Sequence, residues 1–174
     1  MNKHFVGITV GILFAIVTAV IVYQHVKATE VDLVLSCRNE LLSTDTDTEP
    51  LEKHALIADF TLQKRSASIS YRYFTESGEP IATLQMEGNI LSAYKEKNVY
   101  VLNLMESELI RYDETEGLPQ HAKHLRAFAN RNIQREGVHN LTIQIVKSDE
   151  ESNLALLYFL PSTNICACNL VRMN

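Results

Sequence analysis

The chain has 174 residues, 46% of them hydrophobic, with 16 Lys and Arg against 21 Asp and Glu and a formal net charge of −5. The first 29 residues hold two basic side chains, Lys3 and Lys27, and no acidic one, so residues 30–174 carry −7. A domain of that sign is not drawn to phosphate backbones, which counts against direct nucleic-acid binding.

Residues Phe5 to Tyr23 form an uncharged run of 19. At a rise of about 1.5 Å per residue a helix of that length reaches about 28 Å, close to the hydrocarbon thickness of a bilayer. The run predicts a single transmembrane anchor over 5–23, a stub over 1–4 and an exported domain over 30–174. Lys3 and the amino terminus adjoin the run on one side, while Lys27 lies farther off on the other. That asymmetry puts the stub in the cytoplasm. A cleaved signal peptide is the rival reading, with Val26-Lys27-Ala28 as its cleavage region. The run exceeds the usual apolar length of about 7–15, and Gln24, His25 and Lys27 suit cleavage poorly. Both readings place the remainder outside the cytoplasm.

The exported part reads mainly as β-structure. Val31, Leu33, Leu35 and Cys37 alternate with polar neighbours as a half-buried strand. Ser43 to Pro50 is polar, acidic and closed by proline, a loop. Leu56, Ala58, Phe60 and Leu62 mark a second strand, and Ala67, Ile69, Tyr71 and Tyr73 a third. Glu76-Ser77-Gly78-Glu79 is a turn. Ala82, Leu84 and Met86 continue the hairpin, and Gly88-Asn89 is expected to close it. Val99 to Met105 is apolar on both sides, and Leu109 to Tyr112 is a short further strand.

One stretch has helical period, near 119–134. Leu118, Ala122, Leu125, Ala129 and Ile133 share a stripe, Pro119 suits the first turn and Gly137 ends it. Leu141, Ile143 and Ile145 form the next strand. Leu154 to Leu160 is nearly all apolar and reads as a strand covered on both faces, stopped by Pro161. The fold class is α+β, mainly antiparallel β. Its form is a curved sheet packed on one helix, or a partly closed barrel.

Three cysteines stand at 37, 166 and 168. In an exported domain an oxidised pair is expected, Cys37 with Cys166 or Cys168, leaving one thiol over. Among the histidines, His121 and His124 lie three apart on the helix. They are boundary side chains with a secondary reading as a pH sensor, because imidazole changes charge near pH 6.5. No Gly-rich phosphate loop, paired zinc histidines or nucleophile elbow occurs. The reading is a protein that is not an enzyme and uses no cofactor or metal.

An early strand ending LVLSC at 33–37, a late ICACN at 165–169, one anchor and an acidic β-rich domain resemble a known group. They are similar to the FidL-like small inner-membrane proteins of enterobacteria and to the PsaF- and MyfF-type partners of fimbrial regulators. The resemblance implies a bacterial inner-membrane protein with a periplasmic domain. It implies a role like that of ToxS, in which the periplasmic domain binds and stabilises a ToxR-like membrane transcriptional activator, the two domains of related pairs jointly forming a lipocalin-like barrel. Two other classes stay open. One is an envelope chaperone that pairs a sheet edge with a client strand. The other is a barrel that holds a small lipid or bile acid.

Overall fold

The computed structural model describes residues 3–28, 31–43, 52–112, 117–149 and 151–171, with side chains described for 11–23, 32–42 and from 53 onward within those ranges. The chain divides into two compact units, Met1–Glu30 and Val31–Asn174.

The first unit is helix α1, Lys3–Ala28. Ile12, Leu13, Phe14, Ile16 and Val17 are all exposed, as are Val20 to Tyr23, so the helix is apolar all round. The Thr18 hydroxyl donates to the Phe14 carbonyl at 2.8 Å, which hides its polarity against the helix's own backbone. Among the described residues no helix is long and apolar enough to cross a membrane. The side chains described in α1 cover Gly11 to Tyr23, about 20 Å of rise, so the expected run over 5–23 extends beyond them.

The second unit is a closed barrel of eight antiparallel strands in chain order. They are β1 Val31–Ser43, β2 Glu52–Lys64, β3 Ser66–Phe74, β4 Pro80–Tyr94, β5 Val99–Arg111, β6 His139–Asp149, β7 Leu154–Leu160 and β8 Asn164–Val171. Helix α2, Gln120–Glu136, lies between β5 and β6 in the chain. Each strand pairs with its successor, and β8 returns to β1 through Val34↔Val171 to Cys37↔Cys168. The sheet is therefore closed, where an open or partly closed form was the expectation.

Period-two patterning decides which residues fill the interior. Leu35 and Cys37 from β1, Phe60 and Leu62 from β2, and Ile69 and Tyr73 from β3 are each at most 2% exposed. The expected helical stripe also holds. Ala122 and Ala129 are buried, with Leu118 and Leu125 packed against the core. Pro119 accepts from the Lys123 N–H, and Gly137, at φ +77°, donates its N–H to Ile133 in a left-handed C-terminal cap.

Several expected boundaries move. β1 runs on to Ser43 rather than stopping at Cys37, and residues 44–50 of the expected loop lie outside the described residues. β4 does not end at Gly88-Asn89 but continues to Tyr94 through register shifts. The expected short strand at Leu109–Tyr112 is the far end of β5, stabilised by a ladder with β4. β8 is a strand that the sequence reading did not assign. β7 is covered on one face only. Leu154, Leu156 and Leu160 are 47%, 37% and 39% exposed on the outside. Their apolarity does not report a second layer among the described residues of the barrel.

Candidate functional site

The Cys37–Cys168 disulfide ties β1 to β8 at the last residue pair of their ladder. Cys166 is the free thiol. Beyond the disulfide no ladder joins Arg38–Ser43 to Asn164–Ala167. Contact there passes to side chains, with the Asn39 Nδ2–H donating to Cys166 Sγ at 3.5 Å. The seam parts at this end of the barrel, and α2 packs against β1, β5 and β6.

A recess of about 290 Å³ lies behind the parted seam. Cys37, Asn39 and Cys166 line it from the seam, Leu56, Ala58 and Phe60 from β2, and His121, Leu125 and Phe128 from α2. His139 and Leu141 contribute from β6, Phe159 from β7 and Tyr71 from β3. Eight-stranded barrels have interiors either filled by side chains or able to hold one small ligand, and this one leaves room at one end. Phe60 and Phe159 stack at 5.1 Å, with Tyr71 edge-on to Phe60 at 6.1 Å, so the deep wall is aromatic.

His121 and His139 bring two imidazoles to a lining that also holds the polar side chains of Asn39, Tyr71, Ser162 and Asn164. The Asn132 amide nitrogen lies 3.0 Å from His139 Nδ1. An amide NH₂ is a donor, so Nδ1 accepts and Nε2 bears the proton. Tyr73 Oη lies 3.0 Å from His121 Nδ1. Burial, then the neighbouring Tyr71, push the Tyr73 phenol far up, so it keeps its proton. The phenol can donate to Nδ1 or accept from it, and where it donates, Nε2 of His121 carries the N–H. Tyr71 is also pushed far up, by burial first and then by Cys166, and stays a neutral hydroxyl.

His121 is held below the ordinary imidazole value by burial and then by His124, and His139 by burial alone. The expected pair, His121 and His124, is thus divided. Both are exposed, and of the two only His121 lines the recess. The histidine that joins His121 at the recess is His139, which the sequence reading passed over. Its signal was present: it stands two before Leu141 in the inward phase of Leu141, Ile143 and Ile145. Among the described residues no group of three or more His, Cys, Asp and Glu is placed to hold a metal ion.

The lowered values set a pH dependence. Above pH 6.5 both rings are neutral in the folded and unfolded chain. Below it the unfolded chain takes up protons first, so stability falls as pH drops from 6.5 through the folded values. Urea midpoints should decline between pH 7 and pH 5, and the slope should flatten in the double variant His121→Gln, His139→Gln. An unchanged slope would show that the two rings titrate alike in both states.

Compared with known proteins, the chain matches no family model and no curated sequence.

Proposed function

We propose that this protein is a membrane-anchored accessory subunit whose exported barrel binds and stabilises the extracytoplasmic domain of a ToxR-like membrane transcriptional activator. Residues 5–23 are the anchor, set in a bacterial inner membrane with residues 1–4 cytoplasmic and 30–174 periplasmic. The observation that carries this reading is the bare apolar exterior of β7 and β8. Leu154, Leu156 and Leu160 stand beside Ile165 and Val171, which are 62% and 47% exposed. The register Leu156↔Ala167 and Tyr158↔Ile165 sets Ile165 diagonal to Leu156 and Leu160 on the outer face of the two strands. An apolar patch of this kind on an otherwise acidic domain marks a surface for a protein partner.

Closure changes how such a partner is held. A closed barrel has no continuous edge, yet among the described residues stretches such as Arg38–Ser43, Asn164–Ala167 and Glu106–Arg111 have a strand partner on one side only. Contact through the β7–β8 face is the route proposed here, and strand addition at the parted seam is the route the client-chaperone alternative would use. Deleting the protein should lower the steady-state level of its activator several-fold, since a lost folded-state partner removes binding stabilisation. Leu156→Glu should reproduce that loss while the barrel still folds. An unchanged activator level in the deletion strain would overturn the reading.

A second reading has its own observation. The aromatic-walled recess of about 290 Å³ favours a barrel that also holds one small apolar ligand.

A further inference from the structure

We infer that the recess takes a medium-chain carboxylate, with its head group on the Nε2–H donors of His121 and His139 and its tail along Phe60 and Phe159. This rests on the reading of the recess as a ligand site and adds the chemistry of its occupant.

Volume limits the tail. A dry apolar cavity of about 150 Å³ holds one benzene. A recess of about 290 Å³ therefore takes roughly twice that, on the order of ten to twelve heavy atoms. A ten-carbon carboxylate is of that size.

Donor count decides the head group. With Nδ1 of His139 accepting from Asn132, that ring offers an Nε2–H and no free lone pair, and His121 does the same when Tyr73 donates to its Nδ1. The Tyr71 hydroxyl at the same recess is a third proton-bearing group. No Asp, Glu, Lys or Arg lines the recess. Asn39, Ser162 and Asn164 also line the recess, with side chains that both donate and accept. A lining with imidazole N–H donors and no fixed carboxylate suits an acceptor, and an ionised acceptor makes the shorter and stronger bond. Each ring is anchored at its other nitrogen, so the donors are oriented before a ligand arrives.

The test is calorimetric titration of the full chain in lipid nanodiscs, with empty nanodiscs as the blank. Decanoate should bind at least tenfold more tightly than 1-decanol, and acetate should neither bind nor displace it. His121→Leu, on the exposed side of α2, should cost decanoate roughly tenfold and leave 1-decanol within about threefold. His139→Leu should do the same, provided its thermal unfolding stays cooperative, and His121→Leu alone suffices where it does not. Equal affinity for decanoate and 1-decanol would overturn the head-group assignment while leaving the ligand site intact. Binding of neither would overturn the ligand site itself. Binding of acetate as tight as decanoate would show a plain anion site with no role for the tail.

Discussion

Replacing Cys37 by Ala should lower the unfolding free energy of the barrel by roughly 5 kcal/mol, the chain-entropy value for a cross-link closing so long a loop. The two sulfurs are 131 residues apart in sequence. The site magnifies the effect. β1 meets β8 through four residue pairs, against thirteen with β2, so the seam that closes the barrel has the shortest ladder β1 makes. Domain stabilities run from about 5 to 15 kcal/mol, which puts the variant near or past its threshold at growth temperature. Cys37 is the residue to change. Cys166 and Cys168 face the same side of β8, so a lone Cys168→Ala leaves Cys166 free to pair with Cys37 in the wrong register. Urea unfolding under non-reducing conditions measures the loss, with Cys166→Ala as a control expected to shift by less than about 1 kcal/mol. A loss under about 1 kcal/mol for Cys37→Ala would mean that the four-pair seam closes the barrel unaided.

What was readable in the sequence divides along physical lines. Alternation reports which face of a strand is inward, and it placed Leu35, Phe60, Ile69, Leu84 and Ile143 correctly. Helical period likewise placed Ala122 and Ala129, and the expectation of export led to the oxidation of Cys37 that the disulfide shows. Closure was not readable, because the contact of β1 with β8 depends on the register of every hairpin between them. Choosing Cys168 over Cys166 needs that same register, since both lie in the inward phase. β7 misled for a different reason. A strand apolar on both sides looks the same whether its second face meets a layer of its own chain or another molecule. The recess was hidden because it is built from α2, β6 and the β1–β8 seam, which no local pattern brings together. His139 and Cys166 become neighbours of one space only once the barrel has closed. That same assembly connects the two functional proposals. The seam that carries the disulfide also bounds the recess, and the bare face of β8 lies on the outside of the same strand.

Gly88→Ala should destabilise the barrel by about 3 kcal/mol or more, the upper part of the range for forcing atoms into a filled interior. Glycine here was expected to end a strand, yet β4 passes through it with a register shift between Glu87 and Gly88. A Cβ at this position would sit 2.0 Å from the Asn103 carbonyl oxygen, 2.7 Å from Leu104 Cα and 2.9 Å from the Asn103 carbonyl carbon. All three are backbone atoms of β5, so no flexible side-chain end can swing away. β5 is also held from its other side, where Asn103 and Leu104 pair with Asn140 and His139 of β6. Relief of the clash must push β5 against β6 or break the β4–β5 ladder. A glycine inside a strand commonly marks such a close backbone approach. The matched controls are Gly117→Ala, where a Cβ meets nothing within 4 Å, and Gly78→Ala, which also has space but sits at φ +90°. The first should change stability by less than about 0.5 kcal/mol and the second should cost about 1 kcal/mol from the positive φ alone. Denaturant unfolding of the three variants gives the ranking. Because Leu104 pairs with His139, a shift of β5 in Gly88→Ala should also weaken decanoate binding in whatever fraction stays folded. If Gly88→Ala costs no more than Gly78→Ala, the β4–β5 approach is compliant, and Gly88 is replaceable without cost to the recess.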